Sequence, residues 1–216
     1  MLKLKLKWIL FLRFNLIHML IVALMLSSCG MNKDISIVED NKAGDSNPVV
    51  GLINQASLCE KSGNYDEALK YYNQAIAINP KNALAYIDRG NARSKLGDNE
   101  GAIKYYNQAI AINPKSAWAY IYRGLARSEL GDNEGAIKDF NQAIAINPKD
   151  ARVYIGRGNA RSKLGDNEGA IKDFNQAIAI NPKNAIAYDS RGLARKEIGD
   201  KAGAASDYSK YLELLK

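Results

Sequence analysis

The sequence predicts an all-α fold built as an array of five helical pairs, and three observations carry that prediction. The dipeptide Asn-Pro recurs at Asn79-Pro80, Asn113-Pro114, Asn147-Pro148 and Asn181-Pro182, with a constant step of 34 residues. Gly-Asp recurs with the same step at Gly97-Asp98, Gly131-Asp132, Gly165-Asp166 and Gly199-Asp200. Between these marks the apolar residues fall at helical three-and-four spacing, as in Ala102, Ile103, Tyr106, Ala109, Ile110 and Ile112. The stretch Gly131 to Lys149 is identical to Gly165 to Lys183, and Gly97 to Lys115 departs from both only at Tyr105 and Tyr106. A fixed period this long marks a stack of supersecondary units.

In chain order, residues 1–28 read as an export leader. Lys3, Lys5, Lys7 and Arg13 stand there without an acid, followed by a compact apolar run from Met19 to Leu26 and the small residues Ser27 and Ser28. The ending Leu26-Ser27-Ser28-Cys29 resembles the lipobox of bacterial lipoproteins, whose peptidase cuts before the cysteine and whose cysteine sulfur takes a diacylglycerol. The resemblance implies lipid on Cys29. The alternative is an uncleaved anchor from Trp8 to Leu26, although Arg13, Asn15 and His18 within it are expensive in hydrocarbon. Both readings hold the rest of the chain outside the cytoplasm on a membrane tether. Gly30 rather than Asp after the cysteine favours, by analogy with enteric bacteria, the outer membrane facing the periplasm. Residues 29–48 are polar and aperiodic, a flexible tether spanning about 25 Å root-mean-square.

Charge and composition narrow the function. The chain of 216 residues has 30 Lys+Arg against 23 Asp+Glu, and 30 less the four leader cations leaves 26 against 23. That modest excess does not suit a nucleic-acid binder. The single histidine, His18, lies in the leader, so a mature chain has no Ser-His or Cys-His dyad and no His-containing zinc site. No Gly-rich phosphate loop, metal-ligand cluster or nucleophile elbow appears, so no cofactor, metal or catalytic residue is expected. With Cys29 lipidated, Cys59 lacks a disulfide partner and is expected to pack as a small apolar residue.

The units follow as 49–82, 83–116, 117–150, 151–184 and 185–216. In the second, Ala83 to Leu96 forms the first helix, Gly97 stops it, and Asp98 caps the next with Glu100 in its first turn. Pro114 ends that second helix by forcing the preceding residue out of helical geometry. Gly90, Gly124 and Gly158 let paired helices approach, with Ala102, Ala136 and Ala170 opposite. Tyr86, Tyr106, Phe140 and Phe174 fill the gaps. Paired arginines recur at Arg89/Arg93, Arg123/Arg127, Arg157/Arg161 and Arg191/Arg195. They read either as a basic stripe for phosphates or acidic peptides, or as a structural ladder paired to acids such as Asp139, Asp173 and Asp207. Recurrence in every unit favours the ladder.

The period, the turn and the proline together resemble the tetratricopeptide repeat. The second unit gives Tyr86, Arg89-Gly90, Ala102, Tyr106 and Pro114. The third gives Tyr120, Arg123-Gly124, Ala136, Phe140 and Pro148, and the fourth gives Tyr154, Arg157-Gly158, Ala170, Phe174 and Pro182. The ends depart: the first unit has Leu52, Gln55, Ala56 and Cys59 in the early slots, and the fifth stops at Lys216 with Tyr211 where Ala177 stands one unit before. Atypical ends are expected of caps. The resemblance implies a right-handed superhelical solenoid of five repeats and about ten helices, whose first helices line a concave groove. The groove slots vary most between units. They comprise Leu84, Ile87, Asp88 and Asn91 in the second unit, Trp118, Ile121, Tyr122 and Leu125 in the third, and Arg152, Ile155 and Asn159 in the fourth. Trp118 and Tyr122, one turn apart, form the expected hot spot. The family's chaperone-binding members clamp a C-terminal carboxylate with Lys and Asn, then Asn, then Lys and Arg. The matching residues here are Ile87 and Asn91, Tyr122, then Arg152 and Gly156, of which only Asn91 and Arg152 agree, so that partner class is not expected.

The resulting expectation is a non-enzymatic, membrane-anchored scaffold of the bacterial envelope that binds a protein or peptide in its groove. A self-assembling or complex-forming component of an envelope machine is the alternative. A cell-wall hydrolase using carboxylates alone is the remaining class.

Overall fold

The structure is a computed structural model that describes residues 47–216. The leader, the expected lipid site Cys29 and the tether up to residue 46 lie outside the described residues. Ten helices and no strand occur among those described. They are α1 (Pro48–Lys61), α2 (Tyr65–Ile78), α3 (Ala83–Lys95), α4 (Asn99–Ile112), α5 (Ala117–Glu129), α6 (Asn133–Ile146), α7 (Ala151–Lys163), α8 (Asn167–Ile180), α9 (Ala185–Glu197) and α10 (Lys201–Leu214).

The turn chemistry works as the sequence predicts. Gly97 takes the left-handed conformation, with φ at 84°, one residue past the C-cap Leu96. Asp98 then caps α4 by accepting from the Gly101 N–H at 2.8 Å. A second set of caps was not expected: Asn82, Ser116, Asp150 and Asn184 cap the first helices. Between units, the Asn113 side chain accepts from the Lys115 N–H at 3.1 Å, which closes the turn around Pro114.

Each helix pair packs on the next through a chain of small clusters. Within the second unit, a Cβ at Gly90 would lie 2.5 Å from the Tyr106 ring, so only glycine lets α3 approach α4 this closely. Between units, Ala75 meets Ala85, Ala109 meets Ala119, Ala143 meets Val153 and Ala177 meets Ala187 in shared buried clusters. Tyr106, Phe140 and Phe174 are fully buried, whereas Tyr86 is only half-buried. Cys59 is buried, as a small apolar residue would be.

The arginines form a ladder in three units and a broken rung in a fourth. Asp139, itself buried, accepts from Arg123 Nε at 2.9 Å and Nη2 at 2.6 Å, and from Arg127 Nη1 at 2.8 Å. Arg123 also donates from Nη1 to Asn107 of the preceding unit at 2.6 Å, so one guanidinium joins two units. The same set recurs for Arg157, Arg161, Asp173 and Asn141, and for Arg191, Arg195, Asp207 and Asn175. The second unit departs from the expected ladder because Tyr105 occupies the aspartate slot. Arg89 stacks over the Tyr105 ring at 4.2 Å and Arg93 turns to Asp98 at 3.2 Å. The Nε atoms of both arginines are buried without a hydrogen-bond partner.

Candidate partner-binding groove

First helices of successive units pack on one another, α3 on α5, α5 on α7 and α7 on α9, in addition to packing on their neighbours in sequence. That crowding puts them on the inner side of the stack. The slots expected to line a groove lie on these helices.

Its centre is an aromatic shelf. Trp118 and Tyr122 stack with ring centroids 5.7 Å apart, and Tyr122 stacks on Tyr106 at 6.0 Å. The Arg152 guanidinium lies 4.2 Å from the centre of the Trp118 ring while paired to the N-cap Asp150 at 2.6 Å. That pairing holds the Asp150 carboxyl below its ordinary value and raises Arg152. Below the shelf is a cavity of about 300 Å³ lined by Trp118, Ile121, Tyr122, Leu125, Arg152, Ile155, Gly156, Asn159, Asn184 and Ile186. A Cβ at Gly156 would fall 2.7 Å from the Phe140 ring, so that glycine is part of the cavity's shape.

The expected site residues thus divide. Trp118, Ile121, Tyr122, Leu125, Arg152, Ile155 and Asn159 come together around this cavity. Asn91 lies in a second one, Leu84 is exposed on α3, and Ile87 packs with Ala109 and Ala119 at 5% exposure, as a core residue. Asn184, at the end of the fourth unit, and Ile186 extend the lining to the start of the fifth.

The second cavity, about 460 Å³, is lined by Glu60, Tyr65, Asn91, Ser94, Lys95, Tyr106, Tyr122 and Leu125. The Tyr106 hydroxyl donates to Asn91 Oδ1 at 2.9 Å. Burial pushes the Asp88 carboxyl from 3.8 up to about 6, with the Glu60 charge adding to the effect. Burial also raises Glu60, against a hydrogen bond from Tyr72 and the field of Lys95. Glu60 was not anticipated from sequence, although a signal existed: it stands where Ser94, Ser128 and Ser162 occupy the later units. Among the described residues, no cluster of three or more His, Cys, Asp or Glu could hold a metal.

Comparison with known proteins agrees with this architecture. Models of the tetratricopeptide repeat match residues 49–115, residues 105–138, and residues 124–165 with 158–199. The crystal structure of MamA is 26% identical with a TM-score of 0.67, covering 74% of this chain and 93% of MamA. PilW, a widely conserved type IV pilus biogenesis factor, is 21% identical with a TM-score of 0.74 over 79% of each chain. YrrB, described as a TPR protein with an unusual peptide-binding site, is 19% identical with a TM-score of 0.62, covering 78% of this chain and 88% of YrrB. No curated protein matches the sequence significantly. The repeat models run without a break from residue 49 to residue 199, and that region is an array of tetratricopeptide repeats, the fold of a protein-interaction scaffold.

Proposed function

We propose that this chain is a scaffold that binds one extended or helical segment of a partner protein along the inner side of its first helices. The observation that carries this is the Trp118–Tyr122 shelf over an apolar cavity. Trp118 is 44% exposed, and Leu84, Leu125, Ile186 and Leu193 are exposed on the same side of the stack. A row of large apolar side chains facing a cavity is what an interface needs, and aromatic anchors dominate interface energies. YrrB supplies one case of a peptide-binding site on this fold. The proposed setting is the bacterial envelope: lipid on Cys29 tethers the array to a membrane, with the outer membrane facing the periplasm favoured by Gly30. No nucleic acid, cofactor or catalytic step enters the proposal.

Photocrosslinking from Trp118 or Tyr122 positions in native envelopes is expected to give discrete partner bands, lost in Trp118→Ala with helicity unchanged. Unaltered capture by that variant would remove the groove from the proposal. A second reading, self-assembly, draws on α10, where Leu212 and, at the C-cap, Leu215 are exposed. Concentration-dependent sedimentation of the chain, unaffected by Trp118→Ala, would favour it.

A further inference from the structure

The acids inside the array differ in what holds them. Asp139, Asp173 and Asp207 each accept from two guanidiniums and are closed off. Asp88 and Glu60 have no such partner. Asp88 sits in the slot that Tyr122, Gly156 and Ser190 fill in later units, each of which lines an inner cavity. It is one turn before Asn91, which lines the same cavity as Glu60. The titratable groups acting with Asp88 are Glu60 from α1, Tyr72 from α2, Tyr106 from α4 and Tyr122 from α5. None of these is a cation. Among the described residues no Lys or Arg forms an ion pair with either carboxylate, and Lys95 acts on Glu60 alone.

We infer, resting on the reading that the groove binds a partner segment, that the Asp88–Glu60 side of the groove takes a Lys or Arg of that segment. The adjoining Trp118–Tyr122 shelf takes a bulky apolar side chain of the same segment. Charge complementarity selects this occupant. Lys95 lines the cavity and compensates Glu60 in part, but no cation of the array pairs with the half-buried Asp88, and an incoming cation supplies that partner. An acidic segment would instead bring a third negative charge beside two. The two subsites adjoin, because Tyr122 and Leu125 line both cavities. A basic and an apolar residue one helical turn apart, or two residues apart in an extended strand, would span them.

The test is selection of random twelve-residue peptides displayed on phage against the full chain, followed by affinity measurement of the winners. Expected winners carry Lys or Arg beside a bulky apolar residue. Asp88→Asn should weaken them about tenfold or more at low salt while raising the melting temperature, so the loss is not unfolding. Trp118→Ala should weaken them too. Because the carboxylate must be ionised to hold the cation, affinity should fall about tenfold between pH 7 and pH 5, and Asp88→Asn should remove that dependence. Winners that are apolar or acidic, lost in Trp118→Ala but indifferent to Asp88→Asn, would overturn this inference and leave the groove standing. Winners indifferent to Trp118→Ala, or no winners, would remove both.

Discussion

The second unit and the three after it carry the same pair of arginines, yet only the later three hold those arginines by a buried carboxylate. The slot that faces the arginines differs: Tyr105 against Asp139, Asp173 and Asp207. With the aspartate, four donor contacts form within each unit and a fifth reaches back to an asparagine of the unit before. With tyrosine, both Nε atoms are left without acceptors, and Arg93 is 39% exposed where Arg127 is 27%. A repeated residue is therefore no guarantee of a repeated interaction. In an array stabilised by nearest neighbours, the second unit is therefore expected to open more readily than the third and fourth.

The largest expected effect comes from breaking an intact rung. Asp139→Asn leaves Arg123 without a counter-charge and Arg127 with only Asp132 at 3.6 Å, and a loss of about 3 kcal/mol is expected in urea unfolding followed by circular dichroism. A loss below 1 kcal/mol would mean that the ladder contributes little and that the comparison between units carries no energetic weight. Next comes helix approach, shared by all interior units. A Cβ at Gly158 would meet the Phe174 ring at 2.6 Å, so Gly158→Val should cost about 1–3 kcal/mol. Gly51→Ala on α1, where nothing lies within 4 Å, should instead gain up to about 1 kcal/mol.

Tyr105→Asp sharpens the comparison directly, because it writes the later units' residue into the second. The new carboxylate would meet Arg89 and Arg93 as Asp139 meets Arg123 and Arg127, and a gain of about 2 kcal/mol is expected. Hydrogen exchange should show the α3–α4 pair slowing toward the rate of α5–α6. A destabilised variant would show that the Arg89–Tyr105 stack, at 4.2 Å, already does what the aspartate does elsewhere.

These contrasts also mark what the sequence could carry. Period, caps, turns and glycine approach were legible because each is a local rule repeated at fixed intervals, and repetition filters out chance. The ladder was legible where Asp139, Asp173 and Asp207 supplied an acid in register. It failed at Arg89 and Arg93, where pairing was expected by analogy with the other units although Tyr105 stood in plain view. The groove was legible as a set of variable slots, but burial was not: Ile87 and Ile121 share one slot and both pack at 5% exposure in apolar clusters. Glu60 was missed because the first unit departs from the repeat. Its importance depends on Asp88 and Tyr72, which reach it from other helices.

The smallest stability effect concerns Asp88, where the later units carry the uncharged Tyr122, Gly156 and Ser190. Its folded-state pKa, about 6, lies above the ordinary 3.8, so the folded state binds the proton more tightly than the unfolded chain does. Its contribution is thus most favourable below about pH 4 and is lost as pH rises through 6. Asp88→Asn should accordingly gain about 1 kcal/mol at pH 7.5 and close to nothing at pH 4, read as the difference between the two urea midpoints. A gain that persists unchanged at pH 4 would assign the effect to packing rather than charge. A gain confined to neutral pH would show that the groove holds an ionised acid at the expense of the fold, which the three later units avoid at the same slot.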